Sequence, residues 1–372
     1  MRVLIDGRPL QGASSVRGIG SYARGLISGF SQLAEPPEVS LLLSRGREFP
    51  AEVGPGVRPA RRRIRVVHPT LQPIADPVFV SRALRDARTD VYHAIEFGQP
   101  LRTRLPVVVT VHDLIPFIMP RDYPWVRRAR ILGLRLLSRA DAVIAVSEAT
   151  RRDVLRFTGT PPERIRVIPE GIAPVFHAAA PEAVATLRAR LGIDRPFLLA
   201  VGTFDPRKRI ALLADVVRRV RDDHDVVLVI AGDQGTFADE VMGVLSRAGI
   251  AESSRVIGHV STGDLVTLYT GAACFVFTSA YEGFGLPPLE AMACGTPAVV
   301  FDNSSLPEVS GGAAVVVPDG DAIRMAEAVS GLLDDPAARE RRRAQGLTWS
   351  SAFTWRRAAK MTVDVYHAAL GR

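Results

Sequence analysis

Two glutamates bracket a turn of uncommon composition. In "YEGFGLPPLE" (281–290), Glu282 and Glu290 are separated by seven residues that include two glycines and two prolines. Proline suits the first helical position and glycine suits a helix stop, so Pro287 or Pro288 opens a short helix, Gly295 closes it, and a turn precedes it. The amides of Phe284, Gly285 and Leu286 then lie at the positive end of a helix dipole and suit an anion such as a diphosphate. Glu290, one turn inside the helix, is placed to accept two hydrogen bonds from a vicinal diol such as a ribose, while Glu282 addresses a second polyol. Taken singly, Glu290 reads as a first-turn carboxylate stabilising the helix and Glu282 as a loop residue. The turn between them argues for a ligand site. A second candidate is "DPRKR" (205–209), which follows an apolar run and opens a helix. It sets Arg207 beside Lys208, one of only two lysines in the chain and a compact cation suited to phosphate. His112 ends a third candidate, "VVVTVHD".

These residues need a scaffold that gathers strand ends. Short Val- and Ile-rich runs recur at 2–6, 39–44, 64–68, 90–94, 106–113, 142–147 and 164–169, each followed by loop residues or a helical period. After the Pro- and Ala-rich stretch 171–181 the alternation resumes at 196–202, 226–232, 254–260, 273–279, 297–302 and 313–318. Near-continuous apolar strands imply sheets covered on both faces, so the expectation is α/β: two doubly wound parallel sheets joined near 170–180. At 372 residues the chain is too long for one core and sufficient for two. In such sheets ligands bind beyond the carboxyl ends of the strands, which is where all three candidates fall.

Composition narrows the function. The chain is 47% hydrophobic and 23% charged, with no apolar run long enough to span a bilayer and an N-terminus that lacks the pattern of a signal peptide, so it reads as cytoplasmic. The two cysteines, Cys274 and Cys294, sit in apolar stretches and read as core residues of a reducing compartment. Residues 1–175 carry 27 Arg against 16 Asp and Glu, a net of +11, whereas the remainder is at −3. No nucleic-acid-binding motif accompanies that charge, so no nucleic-acid partner is expected; a phosphate-bearing acceptor or the inner face of a membrane suits it better. The basic stretch 125–140 fits a membrane-facing helix and equally an ordinary covering helix, and the second reading is preferred. Two decoys are set aside. "GIGSYA" (18–23) with Glu38 imitates a dinucleotide fingerprint, but the gap from Asp6 to Gly18 is too long for one. Asp223-His224-Asp225 imitates a D-x-D metal site, yet it precedes a strand and so lies at the edge opposite the ligand crevice; no bound metal and no cofactor are expected.

The spacing E-x7-E followed by "AMACGTPAVV" resembles the signature of the retaining, nucleotide-sugar-dependent glycosyltransferases of family 4. Further likeness runs along nearly the whole chain, in "RGIGSYARGL", "VTVHD", "AVIAVSEATRRDV", "RVIPEGI", "VGTFDPRKR", "SLPEV" and the terminal "FTW" helix. The sub-pattern is similar to GDP-mannose-dependent mannosyltransferases of polysaccharide and lipid-linked oligosaccharide assembly. The resemblance implies the GT-B fold: two Rossmann-like domains facing a cleft, an acceptor-binding domain over 1–172, a donor-binding domain over 173–350, and a final helix over 351–372 that returns to the first domain. It implies that Glu282 contacts the donor sugar, Glu290 the nucleotide ribose, Arg207 and Lys208 the diphosphate, and His112 the sugar near its reacting carbon. By the same resemblance Gly18 and Gly20 form a glycine loop reaching the diphosphate or acceptor, with Arg17-Gly18 where the family pairs glycines. Gly258 and Val260 cup the base. Thr203 departs from the pattern, since many members carry an arginine directly after "VG". The implied reaction is metal-independent front-side transfer of a hexose to a glycan or lipid-linked acceptor, in the cytoplasm or peripherally at the inner membrane face. Rival readings are a nicotinamide-dependent dehydrogenase, and a sugar-nucleotide epimerase or phosphorylase on the same architecture.

Overall fold

The computed structural model describes residues 1–11, 18–50, 53–54, 56–67, 71–203, 205–232 and 238–371. The chain divides into two compact units, Met1–Gly171 together with Phe353–Arg372, and Ile172–Ala352.

The first unit is built on a parallel sheet of seven strands in the order β3-β2-β1-β4-β5-β6-β7. In chain order these are β1 (Arg2–Asp6), β2 (Glu38–Leu42), β3 (Arg58–Pro59), β4 (Val91–Ala94), β5 (Val107–Val111), β6 (Ala142–Ala145) and β7 (Ile165–Val167). β1 is central, pairing Val3 with Val39 on one side and with Val91 on the other. Every residue of β4, β5 and β6 is buried, as expected for strands covered on both faces. The apolar run at 64–68 is a correction to the strand pattern. Only Ile64 pairs, in an isolated bridge with Ser44, and the edge is closed instead by the two-residue strand β3. Val66 is 49% exposed, so an apolar run without a partner strand stays in the loop; His68 lies outside the described residues.

The second unit repeats the plan with six parallel strands in the order β10-β9-β8-β11-β12-β13. They are β8 (Phe197–Val201), β9 (Val227–Ala231), β10 (Ser254–Val256), β11 (Cys274–Phe277), β12 (Ala298–Asp302) and β13 (Val315–Pro318). One face packs under the helices Ile210–Val220 and Ala322–Asp334, whose Val216, Val217, Met325 and Val329 close over Leu198, Leu228, Val276 and Val299. Local chemistry fixes the helix ends. Ser147, Ser261, Asp321, Asp335 and Thr354 each cap a helix by accepting a backbone N–H, worth about 1 kcal/mol apiece. Cys274 and Cys294 are buried and unbridged, and burial pushes both thiols up to about 12.

The last helix, Trp355–Ala369, belongs to the first unit and packs on the helix Gly18–Ser31. Two glycines make this possible: a Cβ on Gly25 would overlap the Trp355 ring, and one on Gly29 would collide with the Trp355 carbonyl. A buried polar chain ties the helix to the sheet. Tyr366 Oη meets His93 Nδ1 at 2.7 Å, His93 Nε2 meets Thr110 Oγ1 at 2.8 Å, and Tyr22 Oη meets the same hydroxyl at 3.0 Å. Burial, with the charge of nearby His112, pulls His93 down to about 3, so it works as a neutral ring. Gly29→Ala should therefore destabilise the chain by about 3 kcal/mol, because the obstacle is backbone and cannot rotate away. At Gly18 an added Cβ meets nothing within 4 Å, so Gly18→Ala should stay within about 1 kcal/mol of the parent when both variants are compared by denaturant titration.

Candidate functional site

In the second unit, β8 and β11 are neighbours whose connections leave in opposite directions, which makes the gap beyond their carboxyl ends the switch point of the sheet. The turn after β8 is the short helix Pro206–Lys208, and the turn after β11 carries Glu282. The structure brings the two together. Lys208 Nζ lies 2.6 Å from Glu282 Oε1, and Arg207 Nη1 lies 2.5 Å from the same oxygen. Arg207 Nε also faces Asp205 at 3.4 Å. Lys208 is 6% exposed, with its ammonium 4.3 Å from the centre of the Phe277 ring. Asp205 Oδ1 is buried without a hydrogen-bond partner among the described residues, an acceptor left facing the cluster.

The charges here are coupled. Burial pushes the Lys208 ammonium down, Arg207 pushes it further, and Glu282 opposes both, leaving it at about 8. For Glu282 burial works upward, but Arg207 and then Lys208 outweigh it and hold the carboxyl at about 2. Glu282 thus contributes stability that is present above its ordinary value of 4.5 and is lost as pH falls toward 2. At neutral pH the cluster is a bound carboxylate between two cations, one of which sits just above its tipping point.

Backbone contacts fix the geometry. Lys208 O accepts from Thr278 Oγ1 at 2.8 Å and Arg207 O from the Ala280 amide at 2.7 Å, so the two turns are stitched together. Ser304 Oγ accepts the Glu282 amide at 3.0 Å, and Ser305 Oγ donates to the carbonyls of Glu282 and Phe284. Gly202, at φ +150°, leaves room for the Lys208 stem, which an added Cβ would meet at 3.1 Å.

Gly285 caps the next helix, Leu286–Ala293, with φ +105°, and Gly295 follows its end at φ +81°. The helix starts at Leu286, so Pro287 and Pro288 occupy its second and third positions. Neither has an N–H, and in the i→i−4 pattern the Leu289 amide already belongs to the helix, so Gly285 and Leu286 keep the donors of the helix start. Glu290 is half-buried in the second turn, where Tyr269 Oη donates to its Oε2 at 3.1 Å and fixes the carboxylate. Thr203 is half-buried directly after Gly202, and its carbonyl accepts the Asp205 amide at 2.9 Å. Gly258, at φ +63°, accepts the Gly232 amide at 2.7 Å, and Val260 is half-buried two residues on. These residues therefore lie in the turns following β8, β10 and β11.

In the first unit, His112 directly follows β5 and is bonded through both ring nitrogens: Nδ1 to Glu170 Oε1 at 3.1 Å and Nε2 to the Ile95 carbonyl at 3.0 Å. Both partners are acceptors, so the doubly protonated ring satisfies both. Burial works against that charge, but Glu170, with lesser help from Asp113 and Glu96, holds the pKa above its ordinary 6.5. Glu170 is the residue that sequence reasoning passed over; its signal is an acid directly beyond the carboxyl end of β7, in "VIPEGI". Gly18 and Gly20 are corrected in setting. They lie in the first turn of the helix Gly18–Ser31 rather than in a loop, because the buried period of Tyr22, Ala23, Leu26, Ile27 and Phe30 carries the helix back to Gly18. Arg17 is outside the described residues. Asp225, of the metal decoy, pairs with Arg195 at the amino edge of β9. Among the described residues no group of three His, Cys, Asp or Glu side chains could hold a metal ion.

Comparison with known proteins places these features in context. Residues 184–349 match the model described as glycosyl transferases group 1, and residues 16–176 that of glycosyltransferase family 4. The O-antigen chain mannosyltransferase B of Escherichia coli is 31% identical over 309 residues, covering 81% of this chain and 78% of that protein. Among solved structures, a sucrose-phosphate synthase from Thermosynechococcus elongatus superposes with a TM-score of 0.80 at 20% identity, over 100% of this chain and 99% of that one. Anabaena HepE, solved with UDP-glucose, superposes with a TM-score of 0.77 at 18% identity, over 99% and 100%. Those structures carry the two-domain GT-B architecture, and this chain shares it.

Two measurements test the electrostatics. Lys208 loses its proton above about pH 8 and an arginine does not. The ratio of pyrophosphate affinities, parent over Lys208→Arg, should therefore fall about tenfold per pH unit above that point by calorimetry, while a ratio constant from pH 7 to 10 would remove Lys208 from the anion site. Glu170→Gln should bring the His112 titration, followed by NMR, down to about 6.5 or below. The stability that this pair adds in the parent is full below 6.5 and is lost as pH rises through the raised value.

Proposed function

We propose, from the premise that this chain belongs to the glycosyl transferases of group 1 and glycosyltransferase family 4, that it moves mannose from GDP-mannose to a hydroxyl of a glycan or lipid-linked acceptor with retention of configuration. The observation that carries the reading is the cluster of buried Lys208 with half-buried Arg207 and Glu282 at the switch point of the second sheet. A nucleoside diphosphate leaving a sugar develops charge on its bridging oxygen, and two preorganised cations are what stabilises it. In this reading they take the part that a divalent ion takes in other transferases. Gly285 and Leu286 offer their amides to the same phosphates, and Glu290, steadied by Tyr269, takes the ribose.

What Glu282 is unable to do supports retention without a covalent intermediate on it. A carboxylate pinned by two cations at a pKa of about 2 is a poor nucleophile and a poor base. The acceptor hydroxyl then approaches from the face the diphosphate leaves, and a phosphate oxygen of the leaving group takes its proton. Glu282 orients the sugar through its second oxygen, and His112, once Nε2 releases the Ile95 carbonyl, addresses the sugar near the reacting carbon. Support for mannose is the likeness to the O-antigen chain mannosyltransferase; the runner-up, UDP-glucose, is favoured by the ligand of HepE. The reading puts the work in the cytoplasm or peripherally at the inner membrane face, on the support of the basic first 175 residues. No helix among the described residues is long and apolar enough to cross a membrane.

Slow hydrolysis of a nucleotide-sugar panel tests the donor: GDP-mannose should be cleaved faster than UDP-glucose, and the reverse order replaces the base and the sugar. Lys208→Ala should lower turnover about 10²- to 10³-fold with circular dichroism unchanged, and near-normal turnover would refute its role.

A further inference from the structure

The first unit has a switch point of its own, between β1 and β4, and a cavity of about 570 Å³ opens there among the described residues. Asp6 ends β1, and Glu96 and Phe97 follow β4. That volume lies within the roughly 300–1,000 Å³ of small-molecule sites. Building on the transferase reading above, we propose that this cavity is the acceptor subsite and that it takes the end of an uncharged glycan rather than a phosphate or a phosphate-linked lipid head.

The charge pattern carries the argument. Three carboxylates, Asp6, Asp76 and Glu96, line the cavity together with three guanidinium groups, Arg8, Arg47 and Arg130. Each guanidinium is already engaged. Arg8 grips Asp6 through Nε and Nη2 at 2.8 and 2.6 Å and reaches Asp76 at 2.7 Å; Arg130 holds Glu96 at 2.6 Å; Arg47 donates to the Gln11 carbonyl at 2.6 Å. At Arg8 and Arg130 a phosphate would have to strip these partners and then lie against the freed carboxylates, while Arg47 is held by a neutral carbonyl. An anion site is built the other way, with cations in excess and amides converging. Planar charged pairs edging an apolar pocket suit hydroxyls, which donate to the carboxylates while their oxygens accept from the guanidinium edges. Val67, Phe97 and Ala129 provide apolar wall for the CH faces of a sugar.

The arrangement is held in place. Gly98 is glycine because a Cβ there would overlap the Asp6 carboxylate, and Gly133 because a Cβ would stand 2.7 Å from that of Phe97. The cavity is also coupled to His112, whose Nε2 is bonded to the carbonyl of Ile95, the residue before Glu96. A hydroxyl seated on the Glu96 loop is therefore one residue from the contact that positions the histidine.

Calorimetry on the full chain without donor tests this, using methyl α-mannobioside and its 6-phosphate as probes. The neutral glycoside should bind and the phosphorylated one bind more weakly. Asp76→Asn and Glu96→Gln should each weaken the neutral glycoside about tenfold while GDP-mannose affinity stays as in the parent. Glu96 is the more exposed of the two, so Glu96→Gln carries the test if Asp76→Asn lowers the unfolding temperature. Tighter binding of the phosphorylated probe, binding only when the glycan is carried on a lipid diphosphate, or parent-like binding by both variants would overturn the proposal. Glycoside binding with no nucleotide sugar hydrolysed would sink the donor reading and leave the cavity standing.

Discussion

A lysine ammonium buried against a glutamate is the interaction around which the second unit is arranged. Taking an ammonium out of water carries a penalty of several kcal/mol unless a counter-charge and hydrogen bonds offset it. Glu282 supplies the counter-charge, the Phe277 ring supplies a negative face, and Gly202 supplies the room. The serines of 304 and 305 then keep the Glu282 backbone from drifting. Each neighbour is explained by the need to keep one cation charged in a place where water no longer helps. Remove the carboxylate, and burial together with Arg207 drives the ammonium toward its neutral form.

The two sheets reach the same solution by the same topology. In each, the chain winds outward from a central strand, returns, and winds the other way, so two adjacent carboxyl ends face a gap that no crossover covers. The second sheet fills its gap with the Lys208 cluster, and the first lines its own with the Asp6, Arg8 and Asp76 network. The difference lies in how the cations are held. Lys208 and Arg207 meet on one oxygen of Glu282, with Asp205 only 3.4 Å from Arg207 Nε, whereas Arg8 is clasped by Asp6 and Asp76 at 2.6 and 2.7 Å. One pattern suits an anion and the other a polyol.

Strands were legible in the sequence because a buried parallel strand leaves a run of Val and Ile that no other element needs. The run at 64–68 misled because apolarity alone does not specify a partner: β2 was already paired by Arg58–Pro59, and Val66 was left lining a cavity. The chemistry-bearing residues were legible by type and by strand end, but not by contact. Lys208 and Glu282 stand 74 residues apart, His112 and Glu170 58, and Tyr269 and Glu290 21. Tertiary packing alone brings such pairs together, whether across adjacent strands as for Lys208 and Glu282 or between two helices as for Tyr269 and Glu290, and no local period records it. Hence the reading of Glu282 as a carboxylate addressing a polyol did not include the two cations that hold one of its oxygens. Gly18 and Gly20 were placed in a loop by the family resemblance, whereas the amphipathic period behind them draws both into the helix.

That the cation at 208 is a lysine in a chain whose other 46 basic residues include only one more lysine calls for a physical reason. Arginine stays protonated wherever it is put, and a buried guanidinium needs up to five hydrogen-bond acceptors. The pocket offers one glutamate oxygen and a ring face, enough for a compact ammonium and too little for a guanidinium. Arg207, on the more exposed side, has the extra partners a guanidinium asks for, in the Tyr281 carbonyl and Asp205. The lysine's charge is conditional, held near its tipping point by a single carboxylate. An incoming anion then does two things at once: it gains a cation, and it restores that cation's pKa, so ligand binding and protonation of Lys208 reinforce each other. A site made of arginines alone would bind the anion without that coupling.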